Sequence, residues 1–418
     1  MKHQIVICGA GIVGVAAAYY LSVKHGERDI VLLDQGQPLS FTTSKSGENY
    51  RDYWPQAWMQ AFCSHSISLM HDLARHDNNH GFALHEIGYE FISSNDANLF
   101  PSNSGLNDQD QDMHTFDRSE FASQKPYLAD QVKQIVHIPK AGIMDVYALG
   151  SLMLAEAKQA GVQILNTTVN SIEALNDGGF SVSCNEMESL QCEQLVLAAG
   201  PFSAKLAKTM DIDLPLQNYL QHKFLITDPQ KVIPRDMPFT IIADSQYLPW
   251  SAEEKQLFAD DSDFSHLLRE FPPGLHIKPE GIHNIKLGWA YNRVADTPHF
   301  DPDTPEDFVD IALRGASQYI PGLAQYIGKA APISQYSGYY TRTAENLPLI
   351  GQYQDLNLYL ATGLSGYGTM TACASGALIA NEMLGEKLPE YARYMSPNRY
   401  QNKNIMADIA KHKNDGQL

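Results

Sequence analysis

Short apolar runs alternate with helical patterns over much of the chain. Residues 5–8 are all apolar, and residues 15–21 after them carry mostly small apolar side chains typical of a buried helix. Residues 30–33 form a second apolar run, and residues 195–199 form a later one that ends in small residues. Apolar runs of this length that alternate with helices are typical of strands in a parallel sheet, so the pattern predicts an α/β fold.

The alternation is interrupted and later resumes. Residues 57–76 predict a long amphipathic helix, and residues 147–159 predict a helix that leads into further strands. Between residues 216 and 333, strand-like pieces alternate with polar segments, and a capping box predicts a polar helix over residues 251–270. The chain therefore predicts an α/β domain whose sequence is divided by insertions.

Three glycines follow the first apolar run at the spacing G-x-G-x-x-G: Gly9, Gly11 and Gly14. Between a strand and a helix, the first glycine permits a tight turn, the second lets the backbone approach a pyrophosphate, and the third lets the helix pack on the strand. Asp34 follows the second strand, where an acid can accept hydrogen bonds from ribose hydroxyls. This sequence of strand, glycine-rich turn, helix and second strand, ending in Asp34, predicts a dinucleotide site. The alternative is a glycine-rich turn with a surface aspartate.

Two further stretches carry candidate chemistry. Residues 40–46 are rich in hydroxyl groups, which suits contacts with phosphate or flavin, although a solvated loop would have the same composition.

Residues 363–368 contain three glycines between a strand predicted at 356–361 and a helix predicted at 372–384. Backbone N–H groups and the positive end of a helix favour negative charge there. We therefore expect the C-terminal part of the chain to supply the last strand and helix of the nucleotide domain.

Composition narrows the function classes. The chain has 418 residues and a net charge of −18, which argues against nucleic acid or an anionic membrane as a partner. The five cysteines are scattered without a C-x-x-C pair, so we expect no disulfide framework and no metal site. The first strand begins within five residues of Met1, and no apolar run approaches the ~18 residues of a spanning helix. We expect a cytoplasmic protein.

Taken together, these stretches resemble the D-amino-acid oxidase (DAO) family of FAD-dependent oxidoreductases, in particular monomeric sarcosine oxidase and its glycine oxidase relatives. The resemblance implies an α/β, two-domain flavoprotein in which a discontinuous Rossmann-like FAD domain is joined to a substrate domain with an antiparallel sheet. The stretches that carry it are residues 9–14 with Asp34, 43–51, 197–203, 346–351 and 361–368. The expected domains are 1–87, 138–215 and 334–385 for FAD, 88–137 and 216–333 for substrate, and 386–418 as a C-terminal tail.

The glycine patterns and the resemblance together predict the residues that contact FAD. Val169 matches the valine whose backbone meets the adenine, and Gly338 stands where sarcosine oxidase has the cysteine that tethers its flavin. We therefore expect non-covalent FAD. The predicted cofactor-binding residues are Gly9, Gly11, Ile12, Val13, Gly14, Asp34, Gln35, Thr43, Ser44, Val169, Ala199, Gly200, Gly363, Ser365, Gly366, Tyr367 and Gly368.

Lys286 is similar to the lysine that lies beside the flavin N5 atom in sarcosine oxidases. The resemblance implies that Lys286 activates oxygen, because a cation there stabilises superoxide. A lysine in a strand can also simply face solvent. If Lys286 has the catalytic role, Lys286→Met should slow reoxidation by air much more than reduction by substrate.

The residues that bind the substrate carboxylate in the relatives are replaced in this chain. Met370 stands where sarcosine oxidase has a lysine, and Tyr340 stands where glycine oxidases have an arginine. Arg51 and Arg342 can replace them, since a guanidinium grips a carboxylate with two hydrogen bonds, but either can equally form a structural ion pair. Tyr340 belongs to a set of aromatic residues that can line a pocket for an amine head.

The leading hypothesis is FAD-dependent oxidation of a small amine or N-alkyl amino acid. Hydride transfer from the α C–H to N5 leaves an imine that water hydrolyses, and O2 then accepts the electrons and yields H2O2. One alternative is a dehydrogenase of an amino or hydroxy acid that uses another electron acceptor. Another is a flavin-binding assembly protein without turnover. Neither the substrate nor the oligomeric state is specified by the sequence.

Overall fold

The computed structural model describes residues 2–76, 81–96, 99, 113–185 and 187–412. Its strands are β1 (Lys2–Cys8), β2 (Ile30–Asp34), β3 (Asn49–Arg51), β4 (Leu84–His85), β5 (Tyr89–Ser93), β6 (His114–Asp117), β7 (Gln134–Ile138), β8 (Ala141–Met144), β9 (Gln163–Asn166), β10 (Val169–Ala174), β11 (Phe180–Cys184), β12 (Leu190–Leu197), β13 (Gln217–Thr227), β14 (Phe239–Ile242), β15 (Leu275–Glu280), β16 (Asn284–Trp289), β17 (Ser334–Arg342), β18 (Leu349–Gln352) and β19 (Leu358–Thr362). Its helices are α1 (Ile12–Tyr19), α2 (Ala57–His76), α3 (Arg118–Phe121), α4 (Val146–Gln159), α5 (Ser203–Lys208), α6 (Ala252–Asp260), α7 (Phe308–Ser317), α8 (Gly368–Met383), α9 (Ala392–Met395) and α10 (Lys403–Lys411).

The first sheet has a parallel centre in the order β9-β2-β1-β12-β19. Strand β12 is long enough to share one edge between two partners: residues 190–192 pair with β11, and residues 195–197 pair with β19. Antiparallel β10, β11 and β18 extend the sheet. The parallel centre confirms the α/β fold expected from the apolar runs, which are buried on both faces of such a sheet.

Helices α1 and α8 pack closely against each other beside this sheet. Every residue of α1 is buried. A Cβ at Gly376 of α8 would lie 2.5 Å from the backbone of Ala16, so the glycine permits the close approach of the two helices. Strands β1 and β19, which precede these helices, both run parallel to β12, so the glycine-rich turns at the starts of α1 and α8 lie at the same end of the sheet.

The second sheet runs in the order β17-β13-β16-β15-β14-β5-β7-β6. Its neighbouring strands are antiparallel except for β14 and β5, which are parallel. One face packs on α7 around Trp289 and Phe308, which are fully buried. The other face is turned towards the first sheet. This arrangement confirms the two-domain fold class, while the predicted domain boundaries remain a prediction.

Two predicted helices differ in length from the structure. Helix α8 starts at Gly368, directly after the glycine-rich turn and four residues before the predicted start at 372. The capping box is present, because the Ser251 hydroxyl accepts from the N–H of Glu254, whose carboxylate accepts from the N–H of Ser251. Helix α6 nevertheless ends at Asp260 rather than 270, since Asp261 has extended backbone angles. Its polar pattern continues beyond the helix, so polarity alone overestimated its length.

The segment after α8 packs on the first domain. The ring of Tyr394 stacks on Trp58 of α2 with centroids 4.3 Å apart. Arg399 is buried and donates to Glu345 and to the backbone carbonyls of Leu347 and Pro348. The predicted tail thus supports the 346–351 stretch from behind. Within the residues described, no helix has the length and apolarity needed to cross a membrane.

Candidate active site

A continuous cavity of about 360 Å³ lies between the two sheets. It extends past the turn between β1 and α1, the ends of β2 and β12, the start of β10 and the start of α8, and we call it the main cavity. Most of the predicted cofactor residues line it: Gly9, Gly11, Ile12, Val13, Asp34, Gln35, Thr43, Val169, Ala199, Gly200, Gly363, Ser365, Gly366 and Gly368. Gly14, Ser44 and Tyr367 lie outside its lining. Contact of each residue with FAD remains a prediction.

The three glycines of the first turn are needed for different reasons. Gly9 has a φ of 108°, and a Cβ there would lie 2.4 Å from the carbonyl oxygen of Ala198. A Cβ at Gly14 would lie 1.9 Å from the carbonyl oxygen of Gly9. A Cβ at Gly11 would have only the Thr43 hydroxyl within 4 Å, at 3.4 Å. The fold therefore requires Gly9 and Gly14, whereas Gly11 leaves open space on the wall of the main cavity.

Alanine at positions 11 and 14 should separate cofactor binding from folding. Gly11→Ala is expected to fold with a nearly unchanged melting temperature without FAD but to bind FAD at least tenfold more weakly. Gly14→Ala is expected to lose about 3 kcal/mol or more of stability, because a backbone overlap must be relieved. Calorimetry and the flavin-to-protein absorbance ratio measure the two effects. Equal losses of stability in both variants would contradict this assignment.

Asp34 faces the main cavity and also holds the first turn. Its two carboxylate oxygens accept from the backbone N–H groups of Ala10, at 2.7 Å, and Gly36, at 2.9 Å. Each carboxylate oxygen keeps a second lone-pair site for a ligand hydroxyl. The neighbouring Val169 and Gln35 line the same end of the cavity. This geometry suits the predicted ribose and adenine contacts.

The hydroxyl-rich loop supports the start of α1. The Thr43 hydroxyl accepts from the N–H of Ile12 at 3.0 Å, and it is buried on the cavity wall. The Ser44 hydroxyl instead donates to the backbone carbonyls of Ser40 and Phe41 and does not reach the cavity. The loop is thus an ordered wall of the cavity at Thr43, while Ser44 stabilises the loop itself.

The opposite end of the main cavity is formed by the turn before α8. Gly363 has a φ of 77°, and the N–H of Ser365 donates to the carbonyl of Thr341 on β17. A Cβ at Gly366 would lie 2.6 Å from the ring of Tyr340, so the glycine lets that ring lie against the turn. The positive end of α8 therefore faces the cavity, where it favours negative charge on a ligand.

A smaller cavity of about 110 Å³ adjoins this end, and we call it the side cavity. Arg51, Tyr367 and His276 line it, and Tyr340 and Lys223 belong to the wall that it shares with the main cavity. The Tyr367 hydroxyl donates to the carbonyl of Asn346, and its ring lies edge-on to Trp54. The full shared wall consists of Ser46, Gly47, Lys223, Tyr340, Ser365, Gly366 and Thr369.

Arg51 is a buried cation without a carboxylate partner among the described residues. Its side chain is surrounded by rings, with the guanidinium carbon 4.6 Å from the centroid of Trp54, 5.2 Å from that of Phe91 and 6.0 Å from that of Tyr89. The residue is 4% exposed, and its Nε atom has no hydrogen-bond partner. Burial lowers the pKa of Arg51. The structural ion pair considered as the alternative for this residue is thus not formed with any residue that the structure describes.

Arg342 is positioned differently. Its guanidinium stacks on the ring of Tyr219 at 4.4 Å, and it lines neither cavity. Tyr340, in contrast, lies on the shared wall, as expected for a pocket residue, and burial raises its pKa to about 12. Of the two arginines predicted to bind a carboxylate, the fold therefore brings only Arg51 to the side cavity.

Lys223 is the lysine on the shared wall. It is 6% exposed, and its Nζ donates to the carbonyl of Lys45 at 3.2 Å and lies 5.7 Å from the ring centroid of Tyr340. Burial, and secondarily the charge of Lys286, lowers the pKa of Lys223 to about 8. Sequence reasoning missed this residue, because only the register of β13 on β16 shows which lysine reaches the wall.

Lys286 lies outside the lining of both cavities. Its Nζ forms ion pairs with Glu280 at 3.1 Å and Glu48 at 3.4 Å. In the sheet, Lys286 stands opposite Leu225, whereas Lys223 stands opposite Gly288, two residues further along β16. The predicted position of Lys286 beside the flavin N5 remains a prediction. Lys223, which lies on the shared wall, is the alternative candidate for this position.

The main cavity has the features that FAD requires. Its wall is built from two glycine-rich turns at helix starts, it leaves room above Gly11, and it presents Asp34 at one end. Gly338 lines it and carries no side chain to which a flavin could be linked, and a Cβ there would lie 2.8 Å from Lys45. The residues present therefore fit a bound dinucleotide, with no covalent link at Gly338, and non-covalent attachment remains a prediction.

Comparisons with known proteins agree with this fit. The chain is 24% identical over 422 residues to mitochondrial dimethylglycine dehydrogenase of Mus musculus, covering 96% of this chain and 44% of that protein. The chain thus spans less than half of the length of that relative. It is 24% identical over 346 residues to D-amino acid dehydrogenase of Vibrio vulnificus, covering 79% and 72% of the two chains.

Solved structures share the fold. L-proline dehydrogenase from P. horikoshii superposes with a TM-score of 0.76 at 21% identity, covering 96% of this chain and 98% of that one. Glycine oxidase from Geobacillus kaustophilus superposes with a TM-score of 0.74 at 16% identity, covering 94% and 98%. Residues 4–382 match the family of FAD-dependent oxidoreductases named DAO. With this match over most of its length and with a cavity that fits the cofactor, the chain belongs to the DAO family of FAD-dependent oxidoreductases.

Proposed function

We propose that this oxidoreductase oxidises a small N-alkyl amino acid at the carbon–nitrogen bond, with the substrate carboxylate held by Arg51. The observation that carries the proposal is the buried guanidinium of Arg51, which has no carboxylate partner among the described residues and lines the side cavity. An unpaired buried cation is costly, and an anionic ligand that it binds with two hydrogen bonds removes much of that cost.

The position of the side cavity supports an oxidation at the shared wall. In the main cavity, the turns at Gly9 to Gly14 and Gly363 to Gly368 would hold FAD, with Asp34 at the ribose and the start of α8 at the flavin. Bound FAD supplies a two-electron acceptor for the α C–H of a substrate and passes the electrons on to O2 or another acceptor. The side cavity would then hold the substrate against that acceptor.

The chain's own residues orient the substrate and exclude water. Arg51 fixes the carboxylate at one end of the side cavity, and its surrounding rings of Trp54, Tyr89 and Phe91 keep water from the guanidinium. Tyr340, whose pKa of about 12 keeps it neutral, closes the shared wall without adding charge. The amine loses its proton in bulk water before it binds, and the imine product is hydrolysed in bulk water after its release. Neither step needs a dedicated acid in the site.

The relatives support the substrate class without specifying it. Dimethylglycine dehydrogenase and glycine oxidase are named for small amino acids with the nitrogen next to the reacting carbon. The volume of the side cavity, about 110 Å³, suits a substrate of that size rather than a peptide or a large side chain.

Product analysis tests the proposal against oxidation of a hydroxy acid. The purified flavoprotein is incubated in air with N-methylglycine, proline, a primary alkyl amine and an α-hydroxy acid, and aldehyde, imine-derived product and H2O2 are quantified. We expect product from the N-alkyl amino acids only. Turnover of the hydroxy acid alone would contradict the proposal. Product limited to about one equivalent per flavin in air, with repeated turnover only after a dye or quinone is added as electron acceptor, would assign the enzyme as a dehydrogenase.

A further inference from the structure

We propose that His276 accepts a hydrogen bond from the amine N–H of the substrate through its Nε2 atom, and that it thereby selects secondary amines over tertiary amines. This inference rests on the proposed function and specifies the substrate class within it. Neither the sequence pattern nor the resemblance pointed to His276, which is on β15 and lines the side cavity together with Arg51.

The sheet register directs the imidazole towards the shared wall. His276 stands opposite Gly288 on β16, and Gly288 stands opposite Lys223 on β13. A Cβ at position 288 would lie 2.4 Å from His276 Nε2 and 2.9 Å from Lys223 Cγ. Because Gly288 has no side chain, the imidazole can lie across the surface of β16 with Nε2 on the side of Lys223.

The hydrogen bonding of the ring leaves Nε2 as an acceptor. His276 Nδ1 lies 3.1 Å from the carbonyl oxygen of Gly274. A carbonyl oxygen can only accept, so Nδ1 must carry the hydrogen, and in the neutral ring Nε2 then has a free lone pair. No hydrogen bond to Nε2 is formed within the described part of the chain. The lone pair is therefore available to a donor in the side cavity.

The surroundings keep this imidazole neutral. Burial is the main cause, and the cations Lys223, Lys278 and Lys286 add to it, so that the pKa of His276 is lowered to about 3. A further cation in the side cavity, in addition to Arg51 and Lys223, is thus avoided. At neutral pH, His276 acts as a hydrogen-bond acceptor and not as an acid.

An acceptor at this place distinguishes between classes of amine. The reactive form of the substrate is the neutral amine, whose nitrogen lone pair assists the loss of hydride from the α carbon. A neutral secondary amine still has one N–H to donate to Nε2. A neutral tertiary amine has none, so it leaves the lone pair of His276 without a partner, which costs binding energy in a buried site.

Apolar residues of the side cavity determine which alkyl groups the ligand can carry. Phe239, Ile241 and Ala290 contribute apolar surface to the same cavity. With Arg51 at the carboxylate and His276 at the nitrogen, these three residues offer apolar surface to the alkyl part of the ligand. The structure therefore favours a small aliphatic secondary amino acid, such as an N-monomethyl amino acid or a cyclic imino acid.

The test compares N-methylglycine with N,N-dimethylglycine, two ligands with the same carboxylate. Rates of flavin reduction without oxygen give kcat/KM for each ligand in the wild type and in His276→Leu. We expect the wild type to prefer N-methylglycine and His276→Leu to lose about tenfold of that preference, the size expected for one buried hydrogen bond. His276→Gln, which can place an amide oxygen near the position of Nε2, should restore most of it.

His222→Leu provides a matched control. His222 is a buried imidazole, whereas His276 is half-buried, and His222 points to the other face of β13, where its Nδ1 lies 2.7 Å from the hydroxyl of Ser337. We expect this variant to keep the wild-type preference. A wild type without preference, or a preference unchanged in His276→Leu, would overturn the role of His276. If neither ligand reduces the flavin of the wild type, the proposed function itself fails.

Discussion

Replacing Arg51 by methionine is expected to raise KM for an N-alkyl amino acid by roughly a hundredfold or more, since a buried charged hydrogen-bonded pair is worth about 3 kcal/mol or more. The reason is that Arg51 is a buried guanidinium on the side cavity and pairs with no carboxylate of the residues that the structure describes. Initial rates of turnover at varied substrate concentration give KM, and stopped-flow reduction without oxygen gives the apparent Kd, which should rise in parallel. FAD content should remain unchanged, because Arg51 does not line the main cavity.

Arg342→Met is the control for this prediction. Arg342 carries the same charge but stacks on Tyr219 outside both cavities, so we expect a change of KM of less than threefold. Arg51→Met should also keep or raise the melting temperature without substrate, since it removes an unpaired buried cation. Equal effects of the two arginine variants on KM, or a large loss of stability in Arg51→Met alone, would indicate a structural role for Arg51.

Replacing Lys223 by methionine is expected to slow reoxidation of the reduced flavin by O2 by roughly a hundredfold, while reduction by substrate changes much less. A cation at the shared wall stabilises the negative charge that forms on oxygen, and one such interaction is worth about 3 kcal/mol or more in a buried site. Lys286→Met is the matched control, because Lys286 is held by Glu48 and Glu280 away from both cavities. If Lys286→Met slowed reoxidation more than Lys223→Met, the role of activating oxygen would be assigned to Lys286.

The same assignment predicts a pH dependence. Lys223 has a pKa lowered to about 8, chiefly by burial, and the groups around it are Lys45, Lys286, His276, Tyr336 and Tyr340. Lys223 carries its charge below that pKa and loses it above. The reoxidation rate should therefore fall as the pH rises through about 8. In Lys223→Met this fall should disappear, and its persistence there would assign it to another group.

The first turn and Asp34 in the nucleotide half of the site were predictable from local spacing because these residues are close in sequence. Gly9, Gly11 and Gly14 stand on one turn, and Asp34 ends the next strand, so local spacing alone places them together. The predicted α/β fold and the helix at 57–76 follow from periodicity in the same way. These predictions required no knowledge of how distant strands pair.

The substrate half could not be predicted in the same way. Lys223 and Lys286 are both strand residues, and only the pairing of β13 with β16 shows that Lys223 reaches the shared wall. His276 reaches the side cavity across a glycine of the neighbouring strand. Arg51 and Arg342 were equivalent in sequence, and burial among aromatic rings distinguishes them. Register and burial are properties of the whole sheet.

The measurement that tests the account most directly is an anaerobic absorbance titration of the purified flavoprotein with N-methylglycine and with dimethylamine. The two molecules share an N-methyl secondary amine, and only the first has a carboxylate for Arg51. The account predicts that N-methylglycine bleaches the flavin at concentrations at least a hundredfold lower than those of dimethylamine, in line with about 3 kcal/mol for the carboxylate contact. Equal bleaching by both, or bleaching by an α-hydroxy acid but by neither amine, would contradict it.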